Sequence, residues 1–208
     1  MGKIFAVGDI HGCFDKLKHL MDRVPINYDE DTLVFLGDYI DRGNDSYKVV
    51  DYLIDLKKKH NDIVFLKGNH ETMLFRYLSG EDEATFLYNG GEQTLKNYFN
   101  ENGRIVIPPA HIDFYRSLQP YYETDDYIFV HAGMRANIPI HKQSESDLLW
   151  IRRPFIDSDY DFGKRVIFGH TPFPQALIHD NKIGIDTGAV YGYKLTCIEL
   201  PAMVFHEA

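Results

Sequence analysis

Short apolar segments that end in a glycine and a polar residue constrain this sequence more than any other feature. The first three end at Gly8-Asp9, Gly37-Asp38 and Gly68-Asn69. About thirty residues separate one ending from the next, which is the length of a strand-helix-strand unit. Apolar residues at helical spacing fill both intervals, at 14–24 and 46–60. The sequence therefore predicts two consecutive βαβ units around a parallel sheet, with each polar residue just past the carboxyl end of a strand.

The remainder of the chain changes from helix to strand. Residues 71–124 are predicted to be mainly helical, in segments at 72–78, 92–99 and 110–118. The final third is predicted to form strands at 127–130, 166–168, 176–179, 182–185, 195–200 and 203–205. The turn residues Asp180-Asn181 indicate a hairpin, and the histidines 131 and 170 each follow a strand. We expect an α/β protein with a parallel centre, an antiparallel portion, and a single domain over residues 1–208.

Composition and charge exclude several classes of protein. The 208 residues are 44% hydrophobic and 25% charged, which is ordinary for a globular chain. A formal net charge of -9 argues against a nucleic-acid partner. Cys13 and Cys197 are the only cysteines, which excludes a disulfide framework and a thiolate zinc module. The apolar runs are strand-sized and the first residues lack a secretory pattern, so we expect a cytoplasmic protein with no membrane partner.

Six polar residues that follow strands form a candidate metal-binding set: Asp9, His11, Asp38, Asn69, His131 and His170. Oxygen and imidazole donors without a thiolate suit manganese, iron or zinc better than calcium, and they do not select among the three metals. Six donors are many for one ion and suit two ions that share a carboxylate, an arrangement used for displacement at phosphate esters. Each motif alone is a weak signal, since Asp and His often cap turns. Their recurrence after successive strands predicts a metal site.

The same motifs resemble a known family. In order and spacing, the metallophosphoesterase signature is similar to Gly8-Asp9-Ile10-His11-Gly12, Gly37-Asp38-Tyr39-Ile40-Asp41-Arg42-Gly43, Gly68-Asn69-His70-Glu71, His131-Ala132-Gly133 and Gly169-His170-Thr171. The Asp-Arg-Gly that closes the second motif resembles the phosphoprotein phosphatase branch. That branch includes calcineurin-like serine/threonine phosphatases, small phage and bacterial protein phosphatases, and symmetrical diadenosine tetraphosphate hydrolases. The resemblance implies two mixed β-sheets packed face to face, with flanking helices and the site at the strand ends.

The resemblance also implies which residues hold two divalent ions. One ion would be held by Asp9, His11 and Asp38. The other would be held by Asp38, Asn69, His131 and His170, with Asp38 as the bridging ligand. We expect manganese, with iron or zinc as alternatives. Such a pair of ions neutralises a phosphate dianion and lowers the pKa of a bridging water, so a bridging hydroxide would attack phosphorus directly without a covalent phosphoenzyme.

The remaining roles concern the leaving group and the substrate phosphate. His70 matches the family's general acid, and Asp41 matches the carboxylate that would orient His70 and keep it protonated. Arg42 is expected to bind phosphate through its planar guanidinium, together with Asn69. The Trp-x-Arg pattern favours Arg152 as a second clamp, with Arg153 as the alternative. Glu71 is expected to make a structural hydrogen bond.

Several functions fit these motifs. The main expectation is hydrolysis of phosphoserine and phosphothreonine in proteins, because the middle of the chain is short for an elaborate nucleotide-binding cap. The alternatives are a symmetrical dinucleoside polyphosphate hydrolase and a broad small-molecule phosphatase. A noncatalytic binding module is disfavoured, since every candidate ligand, His70, Asp41 and Arg42 are present. The expected partner is thus a phosphoprotein or a small phosphorylated substrate, and the sequence defines no oligomeric state.

Two further segments resemble parts of the family that border its substrate groove. Tyr88-Asn89-Gly90-Gly91 either flanks the groove or simply leads into the next helix, and the sequence leaves both open. The segment 186–192 follows the last strand-end histidine, and a glycine would be more usual than Tyr193 just after it. The sequence pattern alone shows no aromatic platform for stacking bases.

Overall fold

The computed structural model describes residues 2–208. Within that range the strands are β1 (Ile4–Val7), β2 (Thr32–Phe35), β3 (Ile63–Phe65), β4 (Tyr121–Glu123), β5 (Tyr127–Val130), β6 (Arg165–Phe168), β7 (Leu177–Ile178), β8 (Lys182–Gly184), β9 (Thr196–Leu200) and β10 (Val204–Glu207). The α-helices are α1 (Phe14–Met21), α2 (Ser46–Lys59), α3 (Asn69–Leu78), α4 (Glu83–Phe86), α5 (Glu92–Asn97), α6 (Pro109–Ser117), α7 (Glu145–Trp150) and α8 (Arg153–Ile156).

The strands form two mixed sheets of five strands each. The first has the order β10-β9-β1-β2-β3; β1, β2 and β3 are parallel, and β9 pairs antiparallel with both β1 and β10. The second has the order β4-β5-β6-β8-β7, with a parallel centre of β5, β6 and β8 between antiparallel edges. The predicted βαβ units and the predicted hairpin of β7 and β8 are both present.

Alternate residues of each central strand face different layers of the protein. In β1, Phe5 and Val7 belong to the core beneath the helices, while Ala6 belongs to the core between the sheets. The core between the sheets contains Val34 from the first sheet and Phe129 from the second. Because both faces of these strands are buried, their sequences are continuous apolar runs rather than alternating ones.

Helices cover the outer face of each sheet. Side chains from α1, α2, α3 and α6 pack against the first sheet, and side chains from α7 and α8 pack against the second. The order of layers is therefore helix, sheet, sheet, helix, which confirms the expected fold class. No helix within residues 2–208 is both long enough and apolar enough to cross a membrane.

Three local differences separate the predicted elements from the observed ones. Helix α1 ends at Met21 and not at Pro25, because the backbone leaves the helix in a turn held by the carbonyl of Leu20. Helix α3 begins at Asn69, inside the third motif, so the residues read as a strand ending also form the first helical turn. Strand β4 lies in the region predicted to be mainly helical, and it forms only by pairing with β5.

Truncation of Phe129 tests the packing between the sheets. We expect Phe129→Ala to lower the free energy of unfolding by about 3–5 kcal/mol, because it leaves a cavity between two sheets that are held apart by their other side chains. Urea denaturation of the full chain measures this loss. Phe99→Ala is the matched control, since Phe99 is 51% exposed and should cost less than about 1 kcal/mol. Equal losses in both variants would contradict this packing.

Candidate active site

The carboxyl ends of strands from both sheets meet and bring the candidate ligands together. Asp38 lies at the centre, with its Oδ2 3.5 Å from Nε2 of His11 and its Oδ1 3.4 Å from Nε2 of His131. Nε2 of His131 lies 3.0 Å from Oδ1 of Asn69. The six candidate ligands, namely Asp9, His11, Asp38, Asn69, His131 and His170, are all buried. The structure thus gathers into one cluster side chains that are far apart in the sequence.

The backbone of this cluster is strained. Five of the seven non-glycine residues with positive φ in the described chain belong to the site: His11, Asp38, Asp41, Arg42 and His170. Such conformations cost roughly 1–3 kcal/mol each and persist only where the surrounding structure enforces them. They turn the chain sharply after each strand, so that successive polar side chains point back toward the same centre.

Two glycines of the motifs leave room for carboxylates. A Cβ atom at position 68 would overlap Oδ1 of Asp38, and one at position 169 would overlap Oδ1 of Asp9. Each carboxylate also accepts a hydrogen bond from a backbone amide that lies one or two residues after the nearby glycine. The amide of His70 donates to Asp38 at 3.1 Å, and the amide of His170 donates to Asp9 at 3.0 Å. The glycines of these motifs are therefore required for the close approach of the carboxylates.

Glu71 holds two of the motifs together. Its carboxylate accepts backbone hydrogen bonds from Gly68 at 2.9 Å, Tyr39 at 2.9 Å and Asp38 at 3.1 Å. Glu71 is buried, and all three of these donors are backbone amides. Its carboxylate therefore fixes the loop after β2 against the start of α3. This is the structural hydrogen bonding that the sequence suggested for Glu71.

The donor set fits divalent cations. Donor atoms of Asp38, His131 and His170 lie within 4.8 Å of one another, and so do those of His11, Asp38 and His70. Nε2 of His170 is buried and has no hydrogen-bond partner among residues 2–208, which is expected of an atom that ligates an ion. Nδ1 of His11 and Nδ1 of His131 lie 2.8 Å from the carbonyls of Ile40 and Leu36, to which they donate. Their Nε2 atoms are thereby left facing Asp38.

The ligand set implied by the family resemblance and the group of donor atoms that lie close together in the structure differ at one position. The family resemblance assigns Asp9 to the ion held by His11 and Asp38, whereas the tight donor group contains His70, whose Nε2 is 3.9 Å from Oδ2 of Asp38. In the structure, both oxygens of Asp9 face the amide of His170. The assignment of Asp9 as a ligand and of His70 as a proton donor stays a prediction.

The pKa values of the cluster reflect burial and crowding of like charges. Burial raises the pKa of Asp9 well above its usual value, and nearby Asp186 adds to the effect. Burial opposes ionisation of Asp38 too, but His131 and His70 outweigh it and hold its pKa well below the usual range. Burial also lowers the pKa of His131, but the Asp38 carboxylate raises it to about 9 overall. His131 therefore carries a proton that a cation beside Asp38 would replace.

The other imidazoles of the cluster are neutral. Burial lowers the pKa of His170 to about 2, with His131 adding to the effect, and it lowers the pKa of His11 well below 6.5, with His70 adding. A neutral imidazole keeps one unprotonated ring nitrogen, as a metal ligand requires; that of His170 is unpartnered among residues 2–208, and that of His11 accepts from Arg42. The electrostatics of the cluster thus suit a bound cation.

His70 and Asp41 form a buried pair next to the cluster. Nδ1 of His70 lies 2.6 Å from Oδ2 of Asp41, and Oδ1 of Asp41 accepts a 2.6 Å hydrogen bond from the hydroxyl of Thr94. The contact matches the expected orienting role of Asp41. Burial nevertheless lowers the pKa of His70 to about 4 and raises the pKa of Asp41 well above its usual value. These directions disfavour a charged His70–Asp41 pair in the protein without a cation or substrate, and protonation of His70 by Asp41 stays a prediction.

Two arginines stand at opposite ends of the cluster. Nη1 of Arg42 lies 2.6 Å from Nε2 of His11, and the guanidinium is half-buried. Arg152 is exposed, lies 3.4 Å from the hydroxyl of Thr171, and lowers the pKa of adjacent His170 after the larger effects of burial and His131. Arg153 instead faces Asp157 on the surface. This geometry favours Arg152 over Arg153 as the second phosphate-binding residue.

Sequence reasoning gave no role to two residues that the fold places at the site. Asp186 is buried beside Asp9, and its pKa is raised to about 6 by burial and by Asp38. Thr94 belongs to α5 and connects Asp41 to Ser46 through a 3.0 Å contact between hydroxyls. Asp186 follows β8 by two residues and so carries the same sequence signal as the other strand-end polar residues. Thr94 comes just after the Tyr88-Asn89-Gly90-Gly91 segment that resembles a groove-flanking part of the family, but nothing in the sequence connects it to Asp41.

Two mixed sheets with buried carboxylates and imidazoles at their strand ends, flanked by guanidinium groups, define a metal-dependent phosphoesterase. Comparison with known families agrees: the model of the calcineurin-like phosphoesterases matches residues 2–197. The chain belongs to this family. The family uses two metal ions, and the described cluster offers the donors for them, while nothing in the donor set identifies the metal.

Curated relatives of similar length have a more specific name. The chain is 27% identical to bis(5'-nucleosyl)-tetraphosphatase PrpE [asymmetrical] of Bacillus cereus (strain B4264), with 97% of this chain and 92% of the relative covered. It is 29% identical to the protein of the same name from Anoxybacillus flavithermus, with 95% and 90% covered.

Solved structures share the fold. A crystal structure described as a candidate diadenosine tetraphosphatase superposes with a TM-score of 0.79 at 22% identity, covering 100% of this chain and 93% of that one. A protein serine/threonine phosphatase from Saccharomyces cerevisiae superposes with a TM-score of 0.66 at 17% identity, covering 100% and 79%. At these identities the likeness concerns the fold.

Metal addition tests the cluster directly. Because Asp9, Asp38 and Asp186 repel one another, manganese added to chelator-treated protein should raise the melting temperature by roughly 5–10 °C at a hundredfold excess over its dissociation constant. Differential scanning calorimetry measures the shift. At one fixed manganese concentration the shift should be larger at pH 8 than at pH 6, since binding displaces the proton held by His131 with a pKa of about 9 and is therefore tighter at higher pH.

The manganese-induced shift is compared between a variant at Asp38, within the cluster, and a control variant at Asp113. Asp38→Asn should lose most of the manganese-induced shift, because the central carboxylate faces both donor groups. Asp113→Asn, which removes an exposed carboxylate on α6, should keep the full shift. A wild-type protein that does not respond to manganese, iron or zinc would contradict the metal assignment.

Proposed function

We propose that this protein hydrolyses bis(5'-nucleosyl) tetraphosphates asymmetrically, to a nucleoside monophosphate and a nucleoside triphosphate. The observation that carries the proposal is the near full-length similarity to tetraphosphatases of that name, which covers at least 90% of both chains in each comparison. The buried cluster and its flanking arginines supply the phosphoesterase chemistry. This replaces protein phosphoserine and phosphothreonine as the leading expectation, and the relatives' name favours the asymmetrical over the symmetrical reaction.

The substrate is a polyanion, and this chain offers local cations despite its net charge of -9. Arg42 and Arg152 stand beside His11 and His170, at the two ends of the donor cluster. A polyphosphate chain placed across the cluster would be held at both ends by guanidinium groups, which bind phosphate oxygens in pairs. Asn69, whose side-chain oxygen lies 3.0 Å from Nε2 of His131, is a third candidate contact to phosphate.

Two divalent ions, when bound by the candidate ligands, supply Lewis acidity and lower the pKa of a water molecule toward neutrality. In the reaction, one water oxygen forms a bond to phosphorus while the bond from phosphorus to the bridging oxygen of the leaving nucleotide breaks. The water loses one proton, and the leaving oxygen either departs as an anion or accepts a proton. His70, oriented by Asp41 at 2.6 Å, is positioned to donate that proton from Nε2.

The need for a proton donor depends on the leaving group. A nucleoside triphosphate is a weak base and leaves readily, whereas a simple alkoxide or phenoxide requires protonation in the transition state. A general acid therefore matters most for substrates with poor leaving groups. This dependence separates a proton-donating His70 from a His70 that only ligates metal.

Replacement of His70 tests its role. His70→Asn should lower kcat for phenyl phosphate by about a hundredfold or more and lower kcat for p-nitrophenyl phosphate much less, because nitrophenolate is the better leaving group. The manganese-induced rise in melting temperature should be preserved. His141→Asn, an exposed histidine elsewhere, is the matched control. Equal losses on both substrates together with loss of the manganese shift would make His70 a metal ligand instead.

The products of diadenosine tetraphosphate test the proposed reaction. With manganese, we expect AMP and ATP in equal amounts by chromatography, with Asp38→Asn protein and chelator-treated protein as inactive controls. Two molecules of ADP per substrate would restore the symmetrical alternative. Turnover of phosphoserine and phosphothreonine peptides without turnover of the dinucleotide would overturn the proposal in favour of a protein phosphatase.

A further inference from the structure

Two exposed tyrosines lie next to the phosphate-binding side of the site. We propose that Tyr191, with Tyr193 beside it, stacks on the base of the nucleotide whose phosphate is bound at Arg42. This inference rests on the proposed dinucleoside polyphosphate substrate and assigns a residue to recognition of its base. It also revises the view from the sequence, in which no aromatic platform was evident.

Contacts of Arg42 place Tyr191 at the site. The guanidinium carbon of Arg42 lies over the ring of Tyr191, 5.8 Å from its centroid, and Nη1 of the same side chain is 2.6 Å from Nε2 of His11. One arginine thus connects the donor cluster to the tyrosine ring. In a nucleotide, a single ribose separates the phosphate from the base, so a base attached to a phosphate at Arg42 is within reach of this ring.

The two tyrosine rings are adjacent and open to solvent. Tyr191 is 54% exposed and Tyr193 is 60% exposed. A Cβ atom built at Gly188 would lie 3.5 Å from Cδ2 of Tyr191 and 3.2 Å from Cδ2 of Tyr193, so both rings border the same small space. Aromatic rings with free faces are the usual platform for bases, and every base offers a π-face to them. The guanidinium of Arg42 lies over one face of Tyr191, so the base would stack on the opposite face.

The turn that carries the rings is held firmly. Nζ of Lys16, on α1, donates to the carbonyl of Ala189 at 2.8 Å and also to the carbonyl of Tyr193. The carboxylate of Asp186 accepts a 3.0 Å hydrogen bond from the amide of Gly188, whose φ is 71°. A base that stacks on this turn therefore does not have to order it first, which lowers the entropic cost of binding.

The chemistry of the turn favours a nucleotide over a phosphoserine or phosphothreonine peptide. A phosphoserine or phosphothreonine peptide presents a phosphate without a flat π-system at a constant distance from it. Every nucleotide presents both, joined by one ribose. The combination of Arg42 for phosphate and Tyr191 for an aromatic ring matches the second kind of ligand.

The experiment compares ligands with and without a base. AMP and ribose 5-phosphate are used as competitive inhibitors of p-nitrophenyl phosphate hydrolysis with manganese, in the full-length wild-type protein and in Tyr191→Leu, Tyr191→Phe and Tyr160→Leu. We expect the wild type to bind AMP more tightly than ribose 5-phosphate. Tyr191→Leu should weaken AMP about tenfold and remove most of that preference, as expected for the loss of one stacked ring.

The two remaining variants serve as controls. Tyr191→Phe keeps the ring and should keep the preference for AMP, and Tyr160→Leu removes a partly exposed tyrosine on another segment and should also keep it. If Tyr191→Leu weakens AMP and ribose 5-phosphate equally, Tyr191 only positions Arg42 and the stacking proposal is wrong.

Diadenosine tetraphosphate separates this inference from the proposed function. Hydrolysis with a KM that rises about tenfold in Tyr191→Leu and little in Tyr191→Phe supports both. If Tyr191→Leu hydrolyses the dinucleotide with the KM of the wild type and keeps the wild-type preference for AMP, the stacking proposal is wrong and the proposed function stands. No hydrolysis, combined with a preference for AMP that depends on the ring of Tyr191, overturns the proposed reaction and supports base recognition.

Discussion

The carboxylate of Asp38 is the centre on which this structure depends. It is buried among the imidazoles of His11, His131 and His70, and its own backbone amide is held by Glu71. A buried charge without partners is costly, so the surrounding groups must be kept in place whether or not they take part in a reaction. The imidazoles lower the pKa of Asp38, and Asp38 raises that of His131, so the two sheets are linked electrostatically where their strand ends meet.

Crowding of acidic groups gives this centre its affinity for cations. Burial and Asp186 raise the pKa of Asp9, burial and Asp38 raise the pKa of Asp186, and Nε2 of His170 has no partner among residues 2–208. These features destabilise the protein in the absence of a cation and are relieved when one binds. The backbone strain at His11, Asp38 and His170 also results from gathering polar groups at one point, because this requires sharp turns after the strands.

The cluster alone does not choose between phosphate esters. Structures described as a candidate diadenosine tetraphosphatase and as a serine/threonine phosphatase share this fold, and a fold by itself does not define the substrate. Selection must come from the groups around the cluster. Arg42 and Arg152 are cationic groups beside the cluster, and Tyr191 and Tyr193 are aromatic rings beside Arg42 and Gly188.

From the sequence, the periodic apolar runs and their polar endings predicted the parallel centre and named six candidate ligands, because strand burial and strand-end geometry are local in sequence. The two-sheet arrangement was implied by the family resemblance, and the structure confirms it. The runs and their endings could not predict strand β4, which exists only by pairing with β5, or the start of α3 within the third motif. Nor could they show that Thr94 supports Asp41 or that Tyr191 lies beside Arg42, since these contacts join residues whose spacing follows no repeat. Local chemistry determined which residues could react, and only the tertiary packing decided which of them face one another, because pKa values, strain and stacking depend on distances between segments.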